Sequence, residues 1–169
     1  MASDRPLPVR PLSSELAQAS ASFTCGVRRI DAYLRSGLAI QDANLARIFV
    51  ALDPASKIDI IGFYAMHNMH IEVPDLPNPA GATLRRDAVI GAIYIAMFAV
   101  ATRWQRRGIG AALFAHALHR PKRVANETGI WAVVLDALDE RAERFYRRFG
   151  FEALVGGERR MFLPIAAIG

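Results

Sequence analysis

Six residues, Gln105-Arg106-Arg107-Gly108-Ile109-Gly110, have the types and spacing best suited to holding an anion. They stand between an apolar run, Ala92 to Val100, and a segment, Ala111 to His119, that reads as helix. A strand, a glycine-containing turn and a helix N-terminus aim unpaired backbone N–H groups and the positive end of the helix dipole at a phosphate. Gly108 and Gly110 would let a ligand approach the backbone where a side chain would block it. No Lys-Ser or Lys-Thr follows, so this is not a Walker A loop, and the G-x-G-x-x-G dinucleotide fingerprint is incomplete. Taken alone, the hexapeptide reads more readily as a turn in which glycine merely eases the bend.

Proton chemistry has fewer candidates. Tyr146 could donate from its hydroxyl, but it shares a stripe with Ala142, Phe145 and Phe149 and so also reads as a core aromatic. His67, His70 and Asp136 could accept a proton, and no pattern singles out any of them as a general base. Cys25 is the only cysteine, so no internal disulfide and no cysteine cluster can form. His67, His70, His116 and His119 do not make the H-E-x-x-H pattern, and no metal site is expected.

These residues need a scaffold, and 169 residues suit one domain with a full hydrophobic core. Hydrophobic residues make up 53% and charged residues 22%, which excludes a disordered chain. The formal charge is +5, and every basic residue except Lys57 and Lys122 is arginine. Arginine is the better phosphate partner because its planar fork donates two parallel hydrogen bonds, although a G+C-rich genome produces the same bias. Met1 to Pro11 is proline-rich with no apolar signal-peptide segment, and Met1 to Pro8 reads as a flexible lead-in. Ala88 to Thr102 is too short to span a bilayer, so the expectation is a soluble cytoplasmic protein without membrane attachment.

The elements follow from periodicity. Val9 to Leu12 predicts a short strand. Phe23 to Asn44 predicts a helix, divided near Gly37, with Thr24 as N-cap, Val27, Ile30, Leu34 and Leu38 on one stripe, and Asp31 outward facing Arg35. Arg47 to Leu52 and Ile58 to Met66 predict a hairpin around Asp53-Pro54-Ala55-Ser56. Glu72 to Gly81, with Pro74, Pro77 and Pro79, predicts an extended surface excursion: either a plain connection or the wall of a cleft. Ile93 to Val100 predicts a strand and Gly108 to His119 a helix, with Pro121 ending it, kinking it or opening a short second helix over Lys122 to Glu127. Ile130 to Leu135 predicts a central strand, and Asp139 to Phe149 a helix with outward pairs Glu140–Arg144 and Glu143–Arg147. Gly150 supplies a C-terminal cap, and strands follow from Phe151 and over Arg160 to Ile165. The order implies an α/β fold on one mixed sheet flanked by helices.

Three pieces in this order resemble the GNAT superfamily of acetyl-CoA-dependent N-acetyltransferases. They are Phe98-Ala99-Val100, Gln105-x-x-Gly108-x-Gly110, and Asp139-Glu140-Arg141-Ala142-x-x-Phe145-Tyr146-x-x-Phe149-Gly150-Phe151. Further segments resemble the acetyltransferase toxins of bacterial toxin–antitoxin modules. These are Phe23-x-Cys25-Gly26, Ile30-Asp31-x-Tyr33-Leu34, Gln41-Asp42-Ala43, Phe49-Val50, Val134-Leu135-Asp136-Ala137-Leu138 and Met161-Phe162-Leu163-Pro164-Ile165. Two positions depart from the pattern: Arg106 stands where glycine is common, and Ala101 where an aspartate often follows the strand.

The resemblance implies the GNAT fold over the whole chain and acetyl-CoA as cosubstrate. It implies a diphosphate on the N–H groups of Arg106, Arg107, Gly108, Ile109, Gly110 and Ala111, with Gln105 in the same motif. Arg103, Arg106 or Arg107 would add charge to the diphosphate or the ribose phosphate. The pantetheine arm would pair with Phe98, Ala99 and Val100, and Tyr146 would protonate, or hydrogen-bond to, the departing thiolate. The implied acceptor is the free amine of the amino acid on charged tRNA, drawn to Arg47, Arg85, Arg86, Arg144, Arg147, Arg148, Arg159 and Arg160. The pocket for the aminoacyl side chain would draw on some of Leu34, Phe63, Met66, Met69 and Ile71, favouring small or apolar groups. Implied partners are a second copy of the chain and a ribbon-helix-helix antitoxin, with operator DNA bound only by the toxin–antitoxin complex. The same cradle would also serve a GNAT enzyme acting on a small-molecule or protein amine, or a silent CoA-binding module.

Overall fold

The computed structural model describes residues 7–77 and 83–169. The expected flexibility of residues 1–6 and the end of the proline-rich excursion, including Pro79, lie outside these residues. Strands β1 (Val9–Pro11), β2 (Arg47–Leu52), β3 (Ile60–Glu72), β4 (Val89–Val100), β5 (Ala132–Asp136), β6 (Glu152–Ala153) and β7 (Arg160–Pro164) form a mixed sheet of order β1-β2-β3-β4-β5-β7-β6. The β4–β5 pair is parallel, while β1–β2, β2–β3, β5–β7 and β6–β7 are antiparallel. The helices are α1 (Ala17–Ser22), α2 (Arg28–Arg35), α3 (Gly37–Asp42), α4 (Ile109–Val124) and α5 (Glu140–Arg147). The α/β class and mixed sheet expected from the periodicity are present.

The described chain divides into two compact units. The first contains the residues up to Met66 and Met97–Ala117, and the second His67–Ala96 and Leu118–Gly169. In the first, Leu16, Leu34, Ile48, Val50 and Phe63 are buried, and Phe23 meets Phe63 edge-on at 5.3 Å. The β2–β3 hairpin closes where Lys57, at φ +62°, donates its N–H to the Asp53 carbonyl at 2.8 Å. The helical region starts later than the stripe implied, at Arg28. Gly26, at φ +91°, turns the chain before it. Thr24 does not cap the helix. Its hydroxyl donates to Asp31 at 3.2 Å, and the Cys25 N–H donates to the same carboxylate at 2.8 Å. Asp31 is therefore buried rather than outward. Burial opposes its charge, but these hydrogen bonds, with Arg35 nearby, hold its carboxyl below the usual range. Helix α1 was not foreseen, because Ala-Gln-Ala-Ser-Ala-Ser offers no strong apolar stripe.

The second unit packs Ile71, Ala92, Ala132, Val134 and Phe162 together, with Trp131 stacked on Phe162 at 5.9 Å. The proline-rich segment is not wholly an extended excursion. Val73–Asp75 forms a 3₁₀ turn, Val73 and Leu76 are buried, and the Asp75 carbonyl accepts the Val155 N–H at 2.8 Å. Helix α4 runs through Pro121 to Val124, so Pro121 neither ends it nor opens a separate second helix. Helix α5 is built as its spacing predicts: the Asp139 side chain accepts the Ala142 N–H at 2.8 Å, and Gly150 at φ +92° follows its end.

Candidate functional site

In the first unit the cradle is shaped by backbone geometry. A 3₁₀ turn over Thr102–Trp104 follows β4, and Ile109 opens α4. Arg106 at φ +59° and Gly108 at φ +79° both take the left-handed region. Glycine adopts it freely, whereas arginine bears a cost of about 1 kcal/mol. That explains why the motif commonly has glycine where Arg106 stands. The first hydrogen bond of the helix runs from the Ala112 N–H to the Gly108 carbonyl at 3.3 Å. The N–H groups of Arg106, Arg107, Gly108, Ile109, Gly110 and Ala111 donate to nothing among the described residues. A Cβ at Gly108 would meet nothing within 4 Å, so φ rather than crowding requires glycine there. Unpaired donors at a helix start fit a diphosphate.

The surrounding residues hold this loop in place. Gln105 spends its side-chain amide on the Cys25 and Val100 carbonyls, both at 3.0 Å, and so braces the loop. Ala101 needs no carboxylate: its N–H donates to the Ile61 carbonyl at 2.9 Å. Arg107 lies over the Trp104 ring at 5.3 Å, and Arg103 pairs with Asp59 at 3.7 Å, while Arg106 is exposed without a hydrogen bond or ion pair among the described residues. Phe98 packs edge-on against Phe114 at 5.2 Å and Ala99 is buried. The parallel β4–β5 register covers only Ala92–Ile95 against Ala132–Leu135, so β4 continues to Val100 without β5 alongside. That leaves Phe98, Ala99 and Val100 on a strand end where an extended ligand can add main-chain hydrogen bonds.

In the second unit, α5 carries Tyr146, which is 8% exposed and packed against Phe145 and Phe151 with ring centroids 5.3 and 6.1 Å away. Burial, and then the Asp139 charge, push its hydroxyl well above the ordinary tyrosine range. A neutral, proton-bearing phenol can donate a hydrogen bond and is a weak source of a free proton.

Asp136 closes β5 and is committed to a network. Its carboxylate accepts from the Tyr94 hydroxyl at 2.7 Å and from Arg160 Nε and Nη2 at 2.7 and 2.9 Å. The Arg160 guanidinium, against the opposing effect of burial, holds this carboxyl below the usual range, which makes it a poor general base. Burial and then Asp136 push the Tyr94 phenol up to about 12. His67 lies against the Tyr94 ring at 5.1 Å. Its Nδ1 faces the Asn68 carbonyl at 2.9 Å, and since a carbonyl only accepts, the neutral ring keeps its proton there and leaves Nε2 as the acceptor. Sequence reasoning missed this network, whose members come from separate strands and share no local motif.

The arginines marked from sequence do not form one free surface. Arg85 pairs with Asp87 at 2.8 Å, Arg144 with Glu140 at 3.8 Å, Arg147 with Glu143 at 3.8 Å, and Arg159 with Glu143 at 3.2 Å. Arg160 is held by Asp136, Arg47 donates to Asn44 at 2.6 Å, and Arg148 lies over Phe145 at 5.3 Å. Only Arg86 of that set makes no hydrogen bond or ion pair among the described residues. The expected side-chain pocket is also corrected: Leu34 and Phe63 are fully buried in the core of the first unit, and Met66 and Ile71 are buried too, leaving only Met69 partly exposed. Cys25 is half-buried, and burial followed by Asp31 pushes its thiol up to about 11, so it is not a reactive thiolate. Among the described residues no group of three or more His, Cys, Asp or Glu could hold a metal ion, and no helix is long and apolar enough to cross a membrane.

Comparison with known proteins places these features in context. The family model described as acetyltransferase (GNAT) domain matches residues 44–153. A probable toxin TacT of Sinorhizobium fredii is 32% identical over 156 residues, covering 88% of this chain and 86% of that protein. A tRNA-acetylating toxin of Mycobacterium tuberculosis is 31% identical over 132 residues, covering 78% of this chain and 76% of that protein. Among solved structures, a tyrosine-to-phenylalanine mutant of KacT superposes with a TM-score of 0.87 at 21% identity, covering 97% of this chain and 98% of that one. AtaT complexed with acetyl-methionyl-tRNA superposes with a TM-score of 0.85 at 24% identity, covering 96% of each chain.

Proposed function

The chain belongs to the GNAT acetyltransferase family, and on that premise we propose that it is a toxin that transfers the acetyl group of acetyl-CoA to the amine of the amino acid on charged tRNA. The observation that carries this reading is the 31% identity to a tRNA-acetylating toxin over three-quarters of both chains. The unpaired N–H groups of residues 106–111 supply what a diphosphate requires, independently of that likeness.

In the proposed reaction, residues 106–111 hold the diphosphate and the strand end at Phe98, Ala99 and Val100 aligns the pantetheine arm. The amine attacks the thioester carbon, a C–N bond forms, and the C–S bond breaks. The electron pair leaves on sulfur and the amine proton leaves to solvent. Tyr146 stabilises the sulfur by hydrogen-bond donation. An ordinary thiol ionises near 8.5, far below a phenol raised above 10, so full proton transfer to the thiolate is uphill. The amine of an aminoacyl ester is weakly basic and largely neutral near pH 7, so positioning matters more than a strong base. Acetylation of that amine blocks peptide-bond formation and hence translation.

In this reading the protein acts in the cytoplasm as a homodimer and is neutralised by a ribbon-helix-helix antitoxin. Incubation with labelled acetyl-CoA and total charged tRNA is expected to label the aminoacyl fraction. Labelling of free amines or peptides with tRNA untouched would overturn the substrate assignment in favour of an ordinary GNAT enzyme.

A further inference from the structure

Besides Arg86, Arg106, Arg123 and Arg141, which also lack ion pairs among the described residues, three arginines cluster on one helix. Arg28, Arg29 and Arg35 on α2 are exposed, and none makes a hydrogen bond or ion pair among the described residues. Helix α2 buries Ile30 and Leu34 away from Arg28, while Asp31, four residues before Arg35, is buried beside it and feels its charge. Arg28 and Arg35 are seven residues apart and share one face, about 10 Å apart along the axis. Helix stability does not ask for them. Arg28 and Arg29 occupy the first turn, where the helix dipole is already positive and a cation is unfavourable.

The segment that launches α2 is tied to the segment that launches the cradle. The Thr24 carbonyl accepts the Thr102 N–H at 2.9 Å, and the Cys25 carbonyl accepts the Gln105 side-chain amide at 3.0 Å. Buried Asp31 secures the α2 side through Thr24 and Cys25. Exposed Arg106, also without an ion-pair partner, belongs to the cradle itself. Within one unit, an exposed arginine face, with Asp31 near Arg35, is therefore tied through Thr24 and Cys25 to the loop that would receive the cosubstrate. Resting on the reading that charged tRNA is the acceptor, we infer that the Arg28–Arg29–Arg35 face of α2 carries the phosphate backbone of the tRNA. Arg144 and Arg147 of α5 and Arg160 of β7 are instead paired with internal carboxylates. Arg28 and Arg29, free of an acidic partner among the described residues, can give their whole charge to a phosphate and release counterions on binding.

The test measures tRNA binding to the full chain across a series of salt concentrations, with acetyl-CoA affinity measured in parallel. Arg28→Ala/Arg29→Ala is expected to weaken tRNA binding about tenfold at low salt and to lower the slope of log K against log salt by about one per arginine removed. Arg35→Ala alone is expected to lower it by about one, Arg10→Ala, whose guanidinium pairs with Glu15, to leave it unchanged, and acetyl-CoA affinity to stay constant throughout. A double variant with wild-type slope and intact acetyl-CoA binding overturns the assignment. So does a variant that keeps its tRNA slope but loses an acidic partner peptide, which would make the face a protein-docking surface. Loss of acetyl-CoA affinity in step with tRNA affinity would mean that α2 acts only through the fold, and this also overturns it. A wild-type chain that neither binds nor acetylates charged tRNA brings down the functional reading itself, an outcome separate from all of these.

Discussion

Single residues in this protein are constrained either by backbone angle or by charge already committed. Gly108 is needed for its angle, with open space around it, whereas Gly91 is needed for room. A Cβ at Gly91 would lie 2.6 Å from the Gly129 carbonyl oxygen, a backbone atom that cannot swing aside. Gly91→Ala is therefore expected to destabilise the chain by about 1–3 kcal/mol, read as a lower denaturant midpoint. A wild-type midpoint would show that the 129–130 loop yields freely. Tyr146 is constrained by its surroundings. Tyr146→Phe keeps the ring against Phe145 and Phe151 but removes the hydroxyl proposed to meet the leaving sulfur. Turnover should fall about 10²-fold with acetyl-CoA affinity unchanged. Equal losses in both, measured by single-turnover kinetics and calorimetry, would make Tyr146 a packing residue.

Elements are joined here by hydrogen bonds that cross the sequence, and this divides what could be read from the chain from what could not. Strand β2 and helix α5 were legible because their signals are local, an apolar run and i,i+4 pairs, although Asp139, read as the first helical residue, is the cap that accepts the Ala142 N–H. The start of α2 was misread because Asp31 and Thr24, seven residues apart, meet only when the carboxylate is buried. The cradle was legible as a motif, yet its bracing by Gln105 was not, since Cys25 lies 80 residues away. The Tyr94–Asp136–Arg160 network was invisible for the same reason. It ties β4, β5 and β7 just before the turn into α5, where the Ala137 N–H also meets the Arg159 carbonyl at 2.9 Å. A carboxyl held below its unfolded value contributes stability that is fully present above about pH 4 and is lost as the pH falls through the folded value. Thermal scans between pH 7 and pH 2 should accordingly show wild type well above Asp136→Asn at neutral pH, with the gap closing in acid. A gap that stays constant across the range would assign the loss to geometry rather than to charge.

At the scale of the whole molecule, the +5 formal charge, carried almost entirely on arginine, makes nonspecific attraction to any nucleic acid unavoidable. That attraction does not read sequence, because phosphate contacts set position and base contacts set specificity. In the proposed reading a ribbon-helix-helix partner supplies the base-reading surface, since a two-stranded ribbon fits the major groove. The free chain should thus retard operator and scrambled DNA equally in a gel-shift series, and both shifts should vanish near about 0.2 M salt. The toxin–antitoxin complex should retain the operator under the same conditions and release the scrambled duplex, because base contacts survive where counterion release no longer drives binding. Discrimination of the operator by the chain alone would refute this division of labour and place a base-reading surface on the acetyltransferase itself.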